Sequence, residues 1–372
     1  MEQLLNLNFN LPLSLITILN KIIDYGGVPI LVGGIVRDYF LNIESKDYDI
    51  EIYHIESLDK LILILKEFGD INIVGASFGI LKLTIDNIDI DFSFPRLESK
   101  NGLGHRGFEI KIDSNLSFEN AAKRRDFTIN SIGYDFKNDK ILDPYNGIDD
   151  INNKVLKYVD KDSFIEDPLR VYRAVQFCAR FEFILDSQTK LLCKEMVNYN
   201  EFKTISKERI FQEYKKLLFK SMKPSIGLSL LKEFNLNNYD DKVLIDIDNM
   251  VRYKSNDKRK DLVLMFYFIS DILEEISNDV KLAKDIKKLK EFKVPIIYQH
   301  KISDIEINAE LISIKLDMMK NMPTAILAGK DLITLGYKPS VEFKTILDKV
   351  YRQQLDGKIT SKDEAIYYIN KI

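Results

Sequence analysis

The chain has 372 residues, 45% hydrophobic and 30% charged, with 54 basic and 57 acidic side chains and a net charge of −3. That length supports sizeable cores and two or more domains, and the balanced charge excludes a uniformly basic nucleic-acid binder but not local basic patches. Cys178 and Cys193 are too few for a disulfide framework, and His54, His105 and His300 are too scattered for a histidine metal site.

No basic leader precedes LPLSLITIL, which is too short to span a bilayer, so a soluble protein of the reducing cytoplasm is expected. LPLSLITILNKIIDY (11–25) has helical periodicity, VPILVGG (28–34) reads as a strand ending in glycines, and YDIEIY (48–53) as a strand. ESLDKLILILKEF (56–68) reads as a helix, and ILKLTIDNIDIDFSF (80–94) as a hairpin turning at Asp86-Asn87. FEIKI (108–112), TINSIGYD (128–135) and KILDPYNG (140–147) add strand and turn signals. Beyond about residue 150 nearly everything has helical spacing, so the fold class is α+β: a mixed head followed by an all-helical body.

Asp47 and Asp49 stand in a segment that otherwise reads as a buried strand, where aspartate is disfavoured. Period-two alternation puts both on one face, roughly 7 Å apart, a spacing that suits a shared divalent ion and otherwise a solvated strand edge. Asp91, alternating with Asp89, is a candidate third acid from a neighbouring strand. Three acids on one sheet face suit two-metal phosphoryl transfer with Mg²⁺ or Mn²⁺. Gly33 and Gly34, between a strand and a helix start, offer backbone N–H groups to an anion. In KRRDFTINS (123–131), the basic triplet suits phosphate while Asp126 and Asn130 suit ribose hydroxyls, with Thr128 and Asn130 sharing a face if the segment is a strand. IEDPLRVYRAVQFCARFEF (165–183) reads as one helix, with Asp167 and Arg170 on one face. That pair is either an intrahelical ion pair or an acceptor and donor set for the edge of a base. Basic clusters at 201–223, 251–260 and 281–290 are confined to the second half and raise the prospect of a polyanion partner.

In this order, VGGIVRD, the acids Asp47 and Asp49, KRRDFTIN, LDPYNGIDDINNKVLKYV (142–159), EDPLRVYR (166–173) and SKERIFQEYKKLL (206–218) resemble the bacterial tRNA nucleotidyltransferase and poly(A) polymerase family of the DNA polymerase β superfamily. AGKDLITLGYKPS (328–340) resembles the tail of its CCA-adding members. The resemblance implies a catalytic head over 1–137, a base-recognising neck over 138–222, a helical body over 223–310 and a tRNA-binding tail over 311–372. It implies metal ligation by Asp47 and Asp49 with Asp91 as a further catalytic acid, and phosphate contacts at Gly33 and Gly34. Nucleotide binding would also involve Arg37, Arg124, Arg125, Asp126, Asn130 and Arg173, with Asp167 and Arg170 pairing with the base of CTP or ATP. The implied activity is addition of CCA to tRNA 3′ ends with Mg²⁺, without membrane or DNA partners. The alternatives are a CC-only or A-only enzyme, then a poly(A) polymerase or a non-catalytic RNA-binding relative. Ala121-Ala122, Gln176 and Ser340 depart from the family pattern.

Overall fold

The computed structural model describes residues 9–45, 47–74, 79–100, 108–255, 257–303, 305–340 and 342–371; His105 lies outside them. The chain divides into two compact units, Met1–Asn238 and Tyr239–Ile372.

The first unit opens with α1 (Leu13–Asp24), whose Leu15, Ile18, Leu19 and Ile22 form one buried helical stripe. Then come β1 (Val28–Val32), α2 (Gly34–Phe40), β2 (Asp47–Tyr53), α3 (Leu58–Leu65), β3 (Ile71–Val74), β4 (Ile80–Ile85) and β5 (Ile88–Ser93). A separate antiparallel ribbon pairs β6 (Arg96–Lys100) with β7 (Phe108–Ile112). Next are α4 (Phe118–Ala122), β8 (Gly133–Asp135) and β9 (Lys140–Leu142). They complete a seven-stranded sheet of order β3-β4-β5-β2-β1-β8-β9, in which only the central β2–β5 pair is parallel. The expected hairpin turns where Asp86 and Asn87 both take positive φ (52° and 61°), the geometry that joins tightly paired strands.

Helices dominate the rest of the unit: α5 (Gly147–Asn152), then after the short strand β10 (Val155–Leu156) α6 (Lys161–Glu166) and α7 (Arg170–Phe181). Strand β11 (Ile184–Leu185) pairs with β10, and α8 (Ser187–Met196), α9 (Lys207–Lys220) and α10 (Pro224–Glu233) follow. Two expectations need correction. Residues 165–183 are not one helix: Asp167 is extended (φ −116°, ψ 99°), because the following Pro168 disfavours helical backbone there. And Thr128–Asn130 form a 3₁₀ turn rather than a strand, so Thr128 and Asn130 do not share a strand face.

The second unit is helical: α11 (Asp241–Met250), α12 (Lys258–Phe266), α13 (Leu273–Ile276), α14 (Val280–Glu291), α15 (Asn308–Lys320), α16 (Gly329–Thr334), α17 (Glu342–Leu355) and α18 (Lys362–Ile369). The family-like tail segment packs Leu327 and Leu332 with Val350, Ile359, Ala365 and Ile369. The basic cluster at 251–260 is partly neutralised: Arg259 pairs with Asp279 and Asp285, and Lys260 with Asp317. Along α14, by contrast, Lys281, Lys284, Lys287 and Lys288 are exposed. No helix among the described residues is long and apolar enough to cross a membrane.

Gly147 starts α5 against the turn at 128–130, where an added Cβ would strike the Thr128 carbonyl oxygen and sit 2.8 Å from Ile132 Cγ1. Gly147→Ala is therefore expected to destabilise the unit by about 1–3 kcal/mol through overpacking, measured by urea unfolding.

Candidate active site

The acids Asp47 and Asp49 lie at the exposed beginning of β2, whose continuation from Ile50 to Tyr53 is buried. Parallel pairing sets Asp47 beside Asp89 and Asp49 beside Asp91. Strand β4 then places Thr84 beside Asp89 and Lys82 beside Asp91. Thr84 Oγ1 donates to Asp89 at 2.7 Å, and Lys82 Nζ lies 3.0 Å from the Asp91 carboxylate. Two rows of side chains thus cross the sheet, each with two acids and a polar partner. Asp49 is open to water yet ringed by protein. Burial pushes its carboxyl above the usual range, the charges of Asp91 and Asp47 push it the same way, and Arg125 opposes them.

The oxygen-only donor set of this strand end fits a hard divalent cation, whose charge would relieve the crowding around Asp49. Among the described residues no three His, Cys, Asp or Glu side chains converge as a ready-made metal cage, and Asp91 is ion-paired with Lys82.

Beside Asp49 lies a cavity of about 310 Å³ lined by Gly33, Gly34, Arg37, Asp49 and Arg124 on one part of its wall. Arg125, Asp126, Asn130, Arg170 and Arg173 complete it. The structure therefore gathers ten predicted site residues around one space, while Asp47, Asp91 and Asp167 do not line it. Gly33 has φ 71°, and a Cβ there would meet Asp49 Oδ2 at 3.4 Å and Arg125 Nη1 at 3.7 Å. Both are ordinary van der Waals distances, so it is the positive φ that calls for glycine, which removes the backbone strain. A larger cavity, about 580 Å³, is lined by residues that include Phe9, Tyr39, Phe40 and Tyr48, and holds none of the predicted site residues.

The polar wall is not uniformly available to a ligand. Arg37, 5% exposed, donates to Asp38 and to Asn130 Oδ1 (2.7 Å) and lies over the rings of Phe177 and Phe181. Asn130 donates to Asp126 Oδ1 at 2.9 Å, and Arg173 Nε donates to Asp126 Oδ2 at 2.7 Å. Buried Arg37, Asn130 and Asp126 and the partly exposed Arg173 thus form a continuous hydrogen-bonded chain that braces the cavity. Burial pushes the Asp126 carboxyl up, but Arg173, Arg170 and its hydrogen bonds from Asn130 and Arg173 hold it below the carboxylate range.

Three residues emerge that sequence reasoning missed. Glu51, 1% exposed, accepts hydrogen bonds from Arg124 Nη2 (2.9 Å) and Arg125 Nη2 (2.8 Å) on one oxygen, and from the Tyr53 hydroxyl (3.1 Å) on the other. Its signal was present: it continues the period-two series of Asp47 and Asp49. Arg209 donates to both oxygens of Asp167, at 2.9 and 3.2 Å. Lys82 became visible only through strand register. The Asp167 carboxylate is thus taken up by Arg209, while the Arg170 N–H donates to the Asp167 carbonyl (3.0 Å) and its guanidinium to the carbonyls of Ser163 (2.8 Å) and Arg124 (2.6 Å).

Residues 30–157 match the family described as "Poly A polymerase head domain", and residues 182–239 that described as "Probable RNA and SrmB- binding site of polymerase A". A multifunctional CCA protein of Aliivibrio salmonicida is 35% identical over 55% of this chain and 48% of its own. A CCA-adding enzyme of Francisella tularensis subsp. novicida is 32% identical over 63% of this chain and 68% of its own. Among solved structures, the Bacillus stearothermophilus CCA-adding enzyme in complex with CTP aligns at TM-score 0.71 and 21% identity, covering 96% of each chain. The Thermotoga maritima CCA-adding enzyme complexed with tRNA-CCA aligns at TM-score 0.66 and 19% identity, covering 95% of this chain and 93% of that one. The fold is therefore that of the CCA-adding enzymes, a mixed-sheet head followed by helices. The chain belongs to the CCA-adding enzyme and poly(A) polymerase family, whose nucleotidyltransferases are generally metal-dependent. It spans about half the length of several curated relatives that it matches.

Because the native carboxyl of Asp126 lies below its ordinary value of 3.8, its contribution to stability is full above that value and is lost as pH falls through the lower native one. Between about pH 5 and pH 3, wild-type unfolding free energy should therefore drop more steeply than that of Asp126→Asn, as read by denaturant titration at each pH.

Proposed function

We propose that the protein adds CCA to tRNA 3′ ends from CTP and ATP, releasing pyrophosphate and using no nucleic-acid template. The observation that carries this reading is the single cavity joining Gly33 and Gly34, Asp49, the Arg124–Arg125 pair and Arg170. Membership of the family and the likeness to enzyme structures holding CTP and tRNA support it.

In this reading Asp47 and Asp49 would hold Mg²⁺, which when bound lowers the pKa of the attacking 3′-hydroxyl and offsets triphosphate charge. Gly33 and Gly34 leave room for phosphate to approach the backbone, and Arg124 and Arg125 donate to its oxygens. The 3′-oxygen then bonds to the α-phosphorus as the bond to the bridging oxygen of pyrophosphate breaks. Asp91, held by Lys82, is the further acid of this cluster. Asp167 and Arg170 present an acceptor and donors to the base, matching cytosine and adenine and leaving guanine or uracil with unpaired groups. Arg37, Asp126, Asn130 and Arg173 serve the nucleotide by bracing that wall. The tRNA is held through backbone and shape by basic helices, among them the exposed lysine face of α14.

The experiment is a product ladder: purified protein with Mg²⁺ and tRNA ending at the discriminator base, after one C, or after two, each with CTP, ATP or both. Three additions to the first substrate with both nucleotides are expected. A stop after two cytidines, or activity only on the third substrate with ATP, would instead establish a divided pathway, and no addition to any substrate would refute the reading. Asp49→Ala should abolish every addition. Asp167→Ala should relax selection against UTP and GTP by about 10- to 100-fold in kcat/KM. The affinity for tRNA should fall steadily as salt rises, because phosphate contacts release counterions; an affinity indifferent to salt would remove the lysine face from the account.

A further inference from the structure

Glu51 belongs to no part of the nucleotide site as read so far. It is nonetheless the deepest charged group at that site, 1% exposed, and a single oxygen of it receives Nη2 of both Arg124 and Arg125. Resting on the assignment of those arginines to the triphosphate, we propose that Glu51 is their positioning residue. It holds two like-charged guanidinium groups side by side, aims them at the nucleotide's phosphates, and keeps Arg125 away from the catalytic acid Asp49.

The geometry supports each part. Two guanidinium groups brought together repel unless a carboxylate lies between them, and Glu51 Oε1 occupies that place at 2.9 and 2.8 Å. The Tyr53 hydroxyl, itself packed in the core, donates to the opposite oxygen at 3.1 Å and stops the carboxylate from rotating. Arg125 has a second acid nearby: its Nη1, which donates to the Asn130 carbonyl at 3.5 Å, and Asp49 Oδ2 flank the same small gap, 3.7 and 3.4 Å from the place a Gly33 Cβ would take. Without Glu51, Arg125 would turn to Asp49 and occupy the carboxylate that the reaction needs. That decides the sign of the effect. Deleting a negative charge near a phosphate site would ordinarily tighten anion binding, but here the freed arginine is captured by Asp49 and the pair loses its alignment. Arg124 also carries this order further, because its carbonyl accepts from Arg170 at 2.6 Å.

The test compares wild type, Glu51→Gln, Tyr53→Phe and Arg125→Ala, each first confirmed folded by thermal melting. Equilibrium binding of CTP and CMP is measured without RNA, then addition of CTP to tRNA. Glu51→Gln should weaken CTP by about tenfold while CMP moves less than about twofold, since pre-organised phosphate contacts are lost and the base contacts are kept. Its kcat should fall by a further factor of about ten or more, from misaligned phosphate ligands. Tyr53→Phe, which only loosens the carboxylate, should give a smaller loss in the same direction and decides the matter if Glu51→Gln does not fold. In the Arg125→Ala background, Glu51→Gln should cost clearly less CTP affinity than in the wild type, because no arginine is left for Asp49 to capture and only the alignment of Arg124 remains to be lost. Unchanged or tighter CTP binding, equal losses for CTP and CMP, or additive losses in the double variant would each overturn the proposal. A wild type that prefers CTP to CMP but extends no tRNA would refute the proposed function and leave the Glu51 comparison standing. A wild type without that preference would sink the positioning role itself.

Discussion

Two arginines meeting one buried carboxylate oxygen is the contact on which the arrangement of the first unit's site depends. Glu51 arrives on β2, the same strand that exposes Asp47 and Asp49, while Arg124 and Arg125 arrive on the turn after α4. The contact therefore ties the acids of the sheet to the basic wall of the cavity through a single strand. Removing one member of a buried, hydrogen-bonded ion pair costs about 3–5 kcal/mol, because the partner is left charged and dry. Both partners here are thus held to positions that neither local segment would choose alone. From Arg124 the constraint passes to Arg170, and from Arg170 to Ser163 at the far side of the turn that carries Asp167.

A second chain, buried except at its last member, runs from Arg37 through Asn130 and Asp126 to Arg173. It explains why charged side chains can line a small cavity without collapsing into it. Arg37, Asn130, Asp126 and Arg173 each have a partner within that chain, so this part of the wall is fixed before a ligand arrives. In the proposed reading the arginines that meet phosphate, Arg124 and Arg125, differ from those that brace the wall, Arg37 and Arg173, although all four are the same residue type. That division cannot be read from residue type, since an arginine that binds phosphate and one that braces an aspartate look alike in a string of letters.

The parts legible in the sequence share a local cause. Hydrophobic period placed α1, β1, β2 and α3, and paired turn residues with left-handed tolerance placed the hairpin at Asp86-Asn87. Glycines and aspartates at strand ends marked the cavity and its acids because strand interiors disfavour both residue types. What escaped was set by long-range pairing. The alternation that exposes Asp47 and Asp49 continues to Glu51, but only the depth of the strand in the sheet turns the same face from wet to buried. Lys82 meets Asp91 through the register of β4 and β5, and Arg209 meets Asp167 across more than 40 residues of chain. The cluster at 251–260 looked like an open basic surface because its neutralising acids, Asp279, Asp285 and Asp317, are far away in sequence.

The turn between α6 and α7 shows how one misread element changes the chemistry. In a continuous helix Asp167 and Arg170 would face each other and could simply neutralise each other. Pro168 prevents this by keeping Asp167 extended, so the acid is carried away from the helix that starts at Arg170. Each member then takes its own partner, Asp167 from Arg209 and Arg170 from the Arg124 carbonyl. The acid and the arginine are each held by a different part of the fold. The arginine half is tied by its hydrogen bond to the same turn that carries Arg124. In the proposed reading, base recognition by Arg170 and phosphate alignment by Arg124 would share that one hydrogen bond.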